Sequence, residues 1–247
     1  MFDLSGRVAL VTGGSRGLGR VIAGAYAAAG ADVVVASRDL ESCEAAAAEI
    51  SAETGRRALP LAFHVGHWER SEPLLDRVVE EFGRLDVLVN NAGMSPLYDG
   101  LDNVTEALWD KVFDVNLKGP FRLAALAGTR MAAAGGGSIV NVSSMSSHKP
   151  RAHNLPYAAA KAGLNTMTVG MAHAFGPAVR VNAIVAGTFL TDVSKAWDAE
   201  AFARRAAGFA LGRGGQPHEV AGIALYLASD AGSYTTGSLI TVDGGQP

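Results

Sequence analysis

Val8-Ala9-Leu10-Val11-Thr12-Gly13-Gly14-Ser15-Arg16-Gly17-Leu18-Gly19 decides the fold of this chain. An apolar run over 7–12 enters a turn with glycines at 13, 17 and 19, and an amphipathic pattern follows near 18–29. Strand, turn and helix in that order are the context in which a glycine-rich turn has mechanical meaning. Glycine lets a phosphate approach the backbone, and the free N–H groups and positive end of the helix dipole can receive a pyrophosphate. Gly19 also lets the helix pack closely on its sheet. The plainer alternative is an ordinary strand-to-helix turn. Three glycines ringed by Thr12, Ser15 and Arg16 exceed what such a turn needs, although Gly-x-x-x-Gly-x-Gly is not the commoner dinucleotide fingerprint. Gly13, Ser15, Arg16, Gly17, Leu18 and Gly19 are therefore candidate cofactor-binding residues.

The alternation continues along the chain. Apolar runs at 7–12, 32–36, 58–63, 85–89, 138–142, 179–184 and 239–242 predict seven strands. Helical patterns near 18–29, 39–54, 69–82, 105–133, 156–175 and 217–228 lie between them. Runs that are apolar throughout imply burial on both faces. Right-handed crossovers then give an α/β fold, a Rossmann-type doubly wound parallel sheet between helix layers. Ligands bind such sheets beyond the carboxyl ends of the strands. The stretch 187–215 breaks the rhythm and is expected to form a substrate lid. With 247 residues, 49% of them hydrophobic, one domain over 1–247 is the simplest reading.

Composition narrows the partners. The formal net charge is −3, from 21 basic and 24 acidic residues well mixed along the chain, so no basic stripe offers itself to nucleic acid or anionic lipid. Small molecules are the expected ligands, with neither nucleic acid nor membrane as partner and no metal. A single cysteine, Cys43, cannot form an internal disulfide, which fits a reducing compartment. No apolar stretch is long enough to span a bilayer, and the N-terminus lacks a basic region followed by an apolar run. A cytoplasmic protein is the expectation.

The second strand ends in Val33-Val34-Val35-Ala36-Ser37-Arg38. Dinucleotide folds that select the non-phosphorylated cofactor place an acid there, against the ribose 2′-hydroxyl. Here no carboxylate stands at Ser37. A 2′-phosphate would instead meet the Ser37 hydroxyl, the Arg38 guanidinium and Arg16, so NADP(H) is predicted over NAD(H). Asn90-Asn91-Ala92-Gly93 ends the fourth strand, where small residues leave room for an adenosine ribose and an amide can hold neighbouring backbone.

A second group carries acid-base chemistry. Tyr157-Ala158-Ala159-Ala160-Lys161 sets a phenol and an ammonium on one helix face, where the cation favours phenolate. One exposed ammonium in water cannot shift a phenol far enough, so the reading requires a desolvated cleft and a second positive charge such as an oxidised nicotinamide ring. The spacing alone is weak, since Tyr and Lys meet on many surface helices. Ser144, just past the fifth strand, is placed to meet Tyr157, so that both hydroxyls bind one substrate oxygen. Asn116 interrupts the long helical pattern near 105–133, where its amide can anchor a water relay to Lys161; a helix-kinking surface Asn is the bland alternative.

These motifs, with the tail Val242-Asp243-Gly244-Gly245, match in order and spacing over essentially the whole chain, which resembles a short-chain dehydrogenase/reductase. The resemblance implies hydride transfer between a ketone and a secondary alcohol, with Asn116, Ser144, Tyr157 and Lys161 as catalytic tetrad. It further implies cofactor contacts from Asn91, Ala92, Gly93, Tyr157, Lys161, Gly187 and Thr191, and commonly a homotetramer. Three departures stand out. His64, followed by Val65, occupies the place of the acid that usually holds the adenine amino group. Ala186-Gly187 replaces Pro-Gly. The segment 145–156 is polar, with His148, Lys149, Arg151 and His153 near the substrate side, where an anionic substrate and mere solvated loop charges are both open readings. Among substrates, 3-oxoacyl thioesters, sugars, polyols and steroids are not separated by sequence. A non-catalytic dinucleotide-binding regulator is the alternative of another class, against which the intact tetrad speaks.

Overall fold

The computed structural model describes residues 1–192, 194 and 197–247. Seven strands, β1 (Val8–Thr12), β2 (Asp32–Ser37), β3 (Ala58–Ala62), β4 (Val87–Asn90), β5 (Gly137–Ser144), β6 (Val179–Ala186) and β7 (Leu239–Val242), form one sheet. Its order is β3-β2-β1-β4-β5-β6-β7, and every pairing is parallel. The chain leaves β1 toward β2 and β3, then returns to place β4 on the other side, with Val11 facing Val35 and Val89. This reversal opens a crevice at the carboxyl ends of β1 and β4, where an open sheet of this kind receives ligands.

Side chains alternate across the strands and fill two cores. On one face Val11, Val33 and Val35 pack with Ile22 and Tyr26 of α1 (Gly17–Ala28), Ile50 of α2 (Leu40–Thr54) and Leu227 of α8 (Ala221–Ala228). On the other Leu10, Val34 and Leu88 meet Leu74 of α3 (Ser71–Phe82), Leu123 and Met131 of α5 (Gly119–Ala133) and Met171 of α6 (Leu155–Phe175). Burial on both sides explains why the strands read as unbroken apolar runs.

One element differs from the sequence reading. The pattern near 105–133 is not one helix: α4 (Glu106–Phe113) and α5 are joined by a π-helical turn, Asp114–Lys118, that centres on Asn116. The backbone after β3 passes so near that a Cβ on Gly119 would sit on the Val65 carbonyl oxygen, a close approach that fixes where α5 begins. Within the expected lid, α7 (Ala199–Ala206) is capped by Asp198, whose carboxylate accepts from the Ala201 N–H at 2.6 Å. Positions 193, 195 and 196 of that segment lie outside the described residues. Among the described residues no helix is long and apolar enough to cross a membrane.

Candidate active site

A cleft of about 1030 Å³ lies along the carboxyl ends of the strands. Gly13, Ser15, Arg16, Gly17 and Leu18 line it from the first turn, Ser37 and Arg38 from the end of β2, and His64 and Val65 from beyond β3. Asn91, Ala92 and Gly93 line it after β4, Ser144, Tyr157 and Lys161 after β5, and Gly187 and Thr191 after β6. Gly19 and Asn116 stand behind the lining and act on it through neighbours.

The glycine turn is held from the side by Asn91. Its amide nitrogen Nδ2 donates to the Thr12 and Gly13 carbonyl oxygens at 3.0 and 3.1 Å. The buried Thr12 hydroxyl accepts from the Asn91 and Ala92 N–H groups at 3.1 and 3.2 Å and donates to the Val89 carbonyl at 3.1 Å. Turn and β4 end are thus one polar unit, which is the backbone-holding role read for Asn91 in the sequence; the key part of Thr12 was not visible there. Nearby, the Ser15 and Ser37 hydroxyls lie 3.0 Å apart, and Ser37 Oγ is 3.1 Å from the buried Cys43 thiol. Asp39, the acid closest to Ser37 in sequence, caps α2 by accepting from the Ser42 N–H at 3.2 Å.

Beneath the opposite end, buried amides fix α6 on the sheet. Asn90 Nδ2 donates to Asn141 Oδ1 at 2.9 Å, Asn141 Nδ2 to the Thr168 hydroxyl at 2.9 Å, and that hydroxyl to the Leu164 carbonyl at 2.8 Å. This chain of bonds ties β4, β5 and α6 together, and so holds Tyr157 and Lys161 over the end of β5. The Lys161 side chain is buried, and its Nζ donates to the Val142 carbonyl oxygen at 2.7 Å. Ser144, the last residue of β5, lines the cleft with the half-buried Tyr157, and its hydroxyl accepts from the Ser146 N–H at 3.1 Å. Asn116, fully buried, clasps the strand-end loop: its Nδ2 donates to the Met94 and Val112 carbonyls at 2.8 and 2.9 Å, and its Oδ1 accepts from the Met94 N–H at 3.2 Å. π turns of this kind are frequent at functional sites because they free a side chain from helical register.

The expectation that Lys161 lowers the Tyr157 pKa is not met. Burial holds the phenol above its ordinary value, and only the Ser144 side chain pulls it back. The same burial brings the Lys161 ammonium down to about 8. One desolvated pocket penalises both charged forms, and the ammonium sits 5.8 Å from the centroid of the phenol ring, turned toward β5. His64 is likewise pushed below its usual value, first by burial and then by the charges of His67 and Arg38. Its Nδ1 accepts from the Gly66 N–H at 3.1 Å.

Comparison with known proteins bears on the whole chain. The family model described as enoyl-(acyl carrier protein) reductase matches residues 13–246. A short chain dehydrogenase/reductase of Aspergillus oryzae, astE, is 38% identical over 99% of this chain and 96% of its own length. The chain belongs to the short-chain dehydrogenase/reductase family. A D-threitol dehydrogenase of Mycolicibacterium smegmatis is 36% identical over 99% of this chain and 94% of that protein. The solved structure of an NADPH-dependent 3-quinuclidinone reductase of Rhodotorula rubra is 30% identical, with a TM-score of 0.92, covering 100% of this chain and 93% of that one.

As a member of that family the chain is an oxidoreductase of alcohols and carbonyls that uses a nicotinamide dinucleotide. The lining fits such a group. A Cβ on Gly93 would stand 3.0 Å from Asn116 Oδ1 and 3.7 Å from Lys161 Nζ, and one on Gly17, whose φ is +57°, would face the Thr191 methyl at 3.6 Å. Only hydrogen at these places leaves the cleft floor open along its length. Sequence reasoning did not single out Thr188, Arg205 or Gln246, which also line the cleft. Thr188 and Arg205 fall within the 187–215 stretch read as a lid, where sequence does not say which side chains face the cleft, and Gln246 comes from the C-terminal segment.

Proposed function

We propose that this chain is an NADP(H)-dependent oxidoreductase that interconverts a ketone and a secondary alcohol, with carbonyl reduction as its cellular direction. The observation that carries the reading is Ser144 and Tyr157 together on the wall of a long cleft, with the Lys161 side chain buried next to them, its Nζ 5.8 Å from the centroid of the phenol ring. The bound cofactor supplies the hydride in reduction and accepts it in oxidation. Ser144 and Tyr157 bind the substrate oxygen together, and Tyr157 gives it the proton that completes the alcohol. A phenol kept neutral by burial carries the proton that reduction consumes. Lys161 keeps two donors beyond the one spent on Val142, and these would hold the ribose hydroxyls of the bound cofactor. Asn116 positions the 91–94 loop against the same ribose.

Preference for the phosphorylated cofactor rests on Arg16, Ser37 and Arg38 lining one end of the cleft while Asp39 is engaged in capping α2. The NADPH dependence of the quinuclidinone reductase is in keeping with it. The test is a panel of ketones and secondary alcohols run with both cofactors, followed by the absorbance of the reduced nicotinamide. Tyr157→Phe should lower kcat by about 100-fold or more while dinucleotide binding persists; dinucleotide binding without turnover across the panel would sink the enzymatic reading in favour of a regulator. Arg38→Ala should raise the KM for NADPH by about 10-fold or more and leave that for NADH within a factor of about 2; equal effects on both would remove the preference.

A further inference from the structure

The far end of the cleft is a second cationic site. Of the charged side chains along the cleft, Arg16, Arg38, Lys149, Arg151, Lys161 and Arg205 are basic and only Asp39 and Asp192 acidic, in a chain whose formal net charge is −3. Arg16 and Arg38 stand at the cofactor phosphate end. Lys149, Arg151 and Arg205 stand at the other, past Ser144 and Tyr157, and none of the three is ion-paired with a carboxylate among the described residues. We propose that these three cations bind an anionic group, carboxylate or phosphate, carried by the substrate at a distance from its reacting carbonyl. This rests on the oxidoreductase reading and names its substrate class.

The geometry is built rather than incidental. Lys149 and Arg151 lie on the loop between Ser144 and α6, and that loop is pinned at several points. Tyr98 Oη donates to the Ala152 carbonyl at 2.6 Å and accepts from the Leu155 N–H at 2.8 Å. Asn154 accepts from the Arg151 N–H at 3.0 Å and donates to the Ser146 hydroxyl at 3.0 Å. The loop backbone that carries the two cations is therefore held near Ser146 and Tyr98 through a few hydrogen bonds. Lys149 Nζ donates to the Gln246 carbonyl at 3.1 Å, which brings the C-terminal segment to the same place. Arg205 arrives from α7, its guanidinium carbon 5.7, 5.5 and 6.0 Å from the ring centroids of Trp197, Phe202 and Phe209, with Nη2 donating to the Thr188 hydroxyl at 3.1 Å. Three rings restrict where this guanidinium can go.

The cations also feel one another. Arg205 has its pKa lowered, by burial first and by the charge of Arg151 second, so two arginines from separate elements are held near enough to repel. Like charges facing one cleft are relieved by a bound anion, and guanidinium matches carboxylate and phosphate alike. All three are solvent-exposed, and all three line the same cleft as Ser144 and the proposed proton donor.

Substrate pairs test the idea: oxo acids of graded chain length against their methyl esters, and dihydroxyacetone phosphate against dihydroxyacetone, each with NADPH. At least one anion should be reduced with kcat/KM about 10- to 100-fold above its neutral partner. The preference should shrink as ionic strength rises. Arg151→Gln and Arg205→Gln should each collapse the ratio mainly through KM. The arm that discriminates says whether the natural group is carboxylate or phosphate. Calorimetric titration of the chain with succinate and with inorganic phosphate gives a readout independent of turnover: one should bind about 10-fold more weakly to the double variant. Neutral ketones reduced as well as their acids, with titrations unaltered by both substitutions, would overturn the anion site and leave the oxidoreductase reading intact. Absence of any turnover, with anion binding that Arg151→Gln and Arg205→Gln abolish, would overturn the oxidoreductase reading and keep the site.

Discussion

Lys161 spends one of its three N–H bonds on the Val142 carbonyl oxygen, 2.7 Å away, and by that bond the ammonium is fastened to the end of β5 while its stem runs through apolar surroundings. The side chain is thus positioned by the sheet and not by the phenol four residues earlier on its own helix. A buried ammonium with a single neutral acceptor is poorly compensated, which is why its pKa falls to about 8 from 10.5.

The first expectation concerns this penalty. Below about pH 8 the folded chain carries a charge that the unfolded chain would rather hold in water, so the destabilisation is fully present there. As pH rises from about 8 toward 10.5 the unfolded chain binds more protons than the folded one, and stability from this group increases. Lys161→Met should therefore be more stable than the parent at neutral pH by about 1–3 kcal/mol, with the advantage shrinking in alkali, while turnover is lost. Denaturant unfolding of both proteins without dinucleotide, across that pH range, checks it. A variant less stable at neutral pH would mean that the Val142 bond outweighs the cost of burial.

Ser144→Ala should act on the phenol as well as on the substrate. The Ser144 side chain is what lowers the Tyr157 pKa against burial, so its loss leaves the phenol higher still. Alcohol oxidation needs the phenolate, and its pH profile should move to higher pH in the variant. The lost contact to the substrate oxygen should lower kcat by about 100- to 1000-fold. An unmoved profile with reduced kcat would assign Ser144 to substrate alone.

Much of this was readable in the residues, for definite reasons. β1, β4 and β6 are buried on both faces, so unbroken apolar runs marked them to within a residue or two. Ser144 and Tyr157 fall close because a strand end and the following helix start are near in sequence. The break at Asn116 was legible as an interruption, but not its form, since the π turn depends on the Val65 backbone lying against Gly119. The direction of the Tyr157 pKa was not legible, because burial is decided by parts of the chain far from residue 157. Arg205 escaped notice for the same reason: only the packed α7 brings it opposite Arg151.

Thr168→Val probes the amide chain under the site. The substitution keeps the shape and removes the acceptor of Asn141 Nδ2, leaving a donor buried with no partner. An unsatisfied group of this kind costs about 1–3 kcal/mol. Because the chain fixes α6 on β5, catalysis should fall as well, more in kcat than in KM. Full stability in the variant would mean that α6 is held by its apolar contacts alone.

Two glycines of the cofactor turn should fail differently when each is replaced by alanine. A Cβ on Gly19 would land on the Gly13 carbonyl oxygen and on Asn91 Nδ2, the pair joined by a 3.1 Å hydrogen bond that keeps the turn against β4. Gly19→Ala must push that turn aside, so it should cost about 1–3 kcal/mol and weaken dinucleotide binding by about 10-fold or more. At Gly17 the added carbon meets only the Thr191 methyl, at 3.6 Å, and the difficulty is the φ of +57°, which alanine adopts at a cost of about 1–2 kcal/mol. Gly17→Ala should thus lose comparable stability with a smaller loss of binding, since its added carbon displaces nothing. Unfolding measurements paired with dinucleotide titrations on the two variants separate backbone strain from steric displacement; equal binding losses would mean that the turn tolerates no side chain at either place for one common reason.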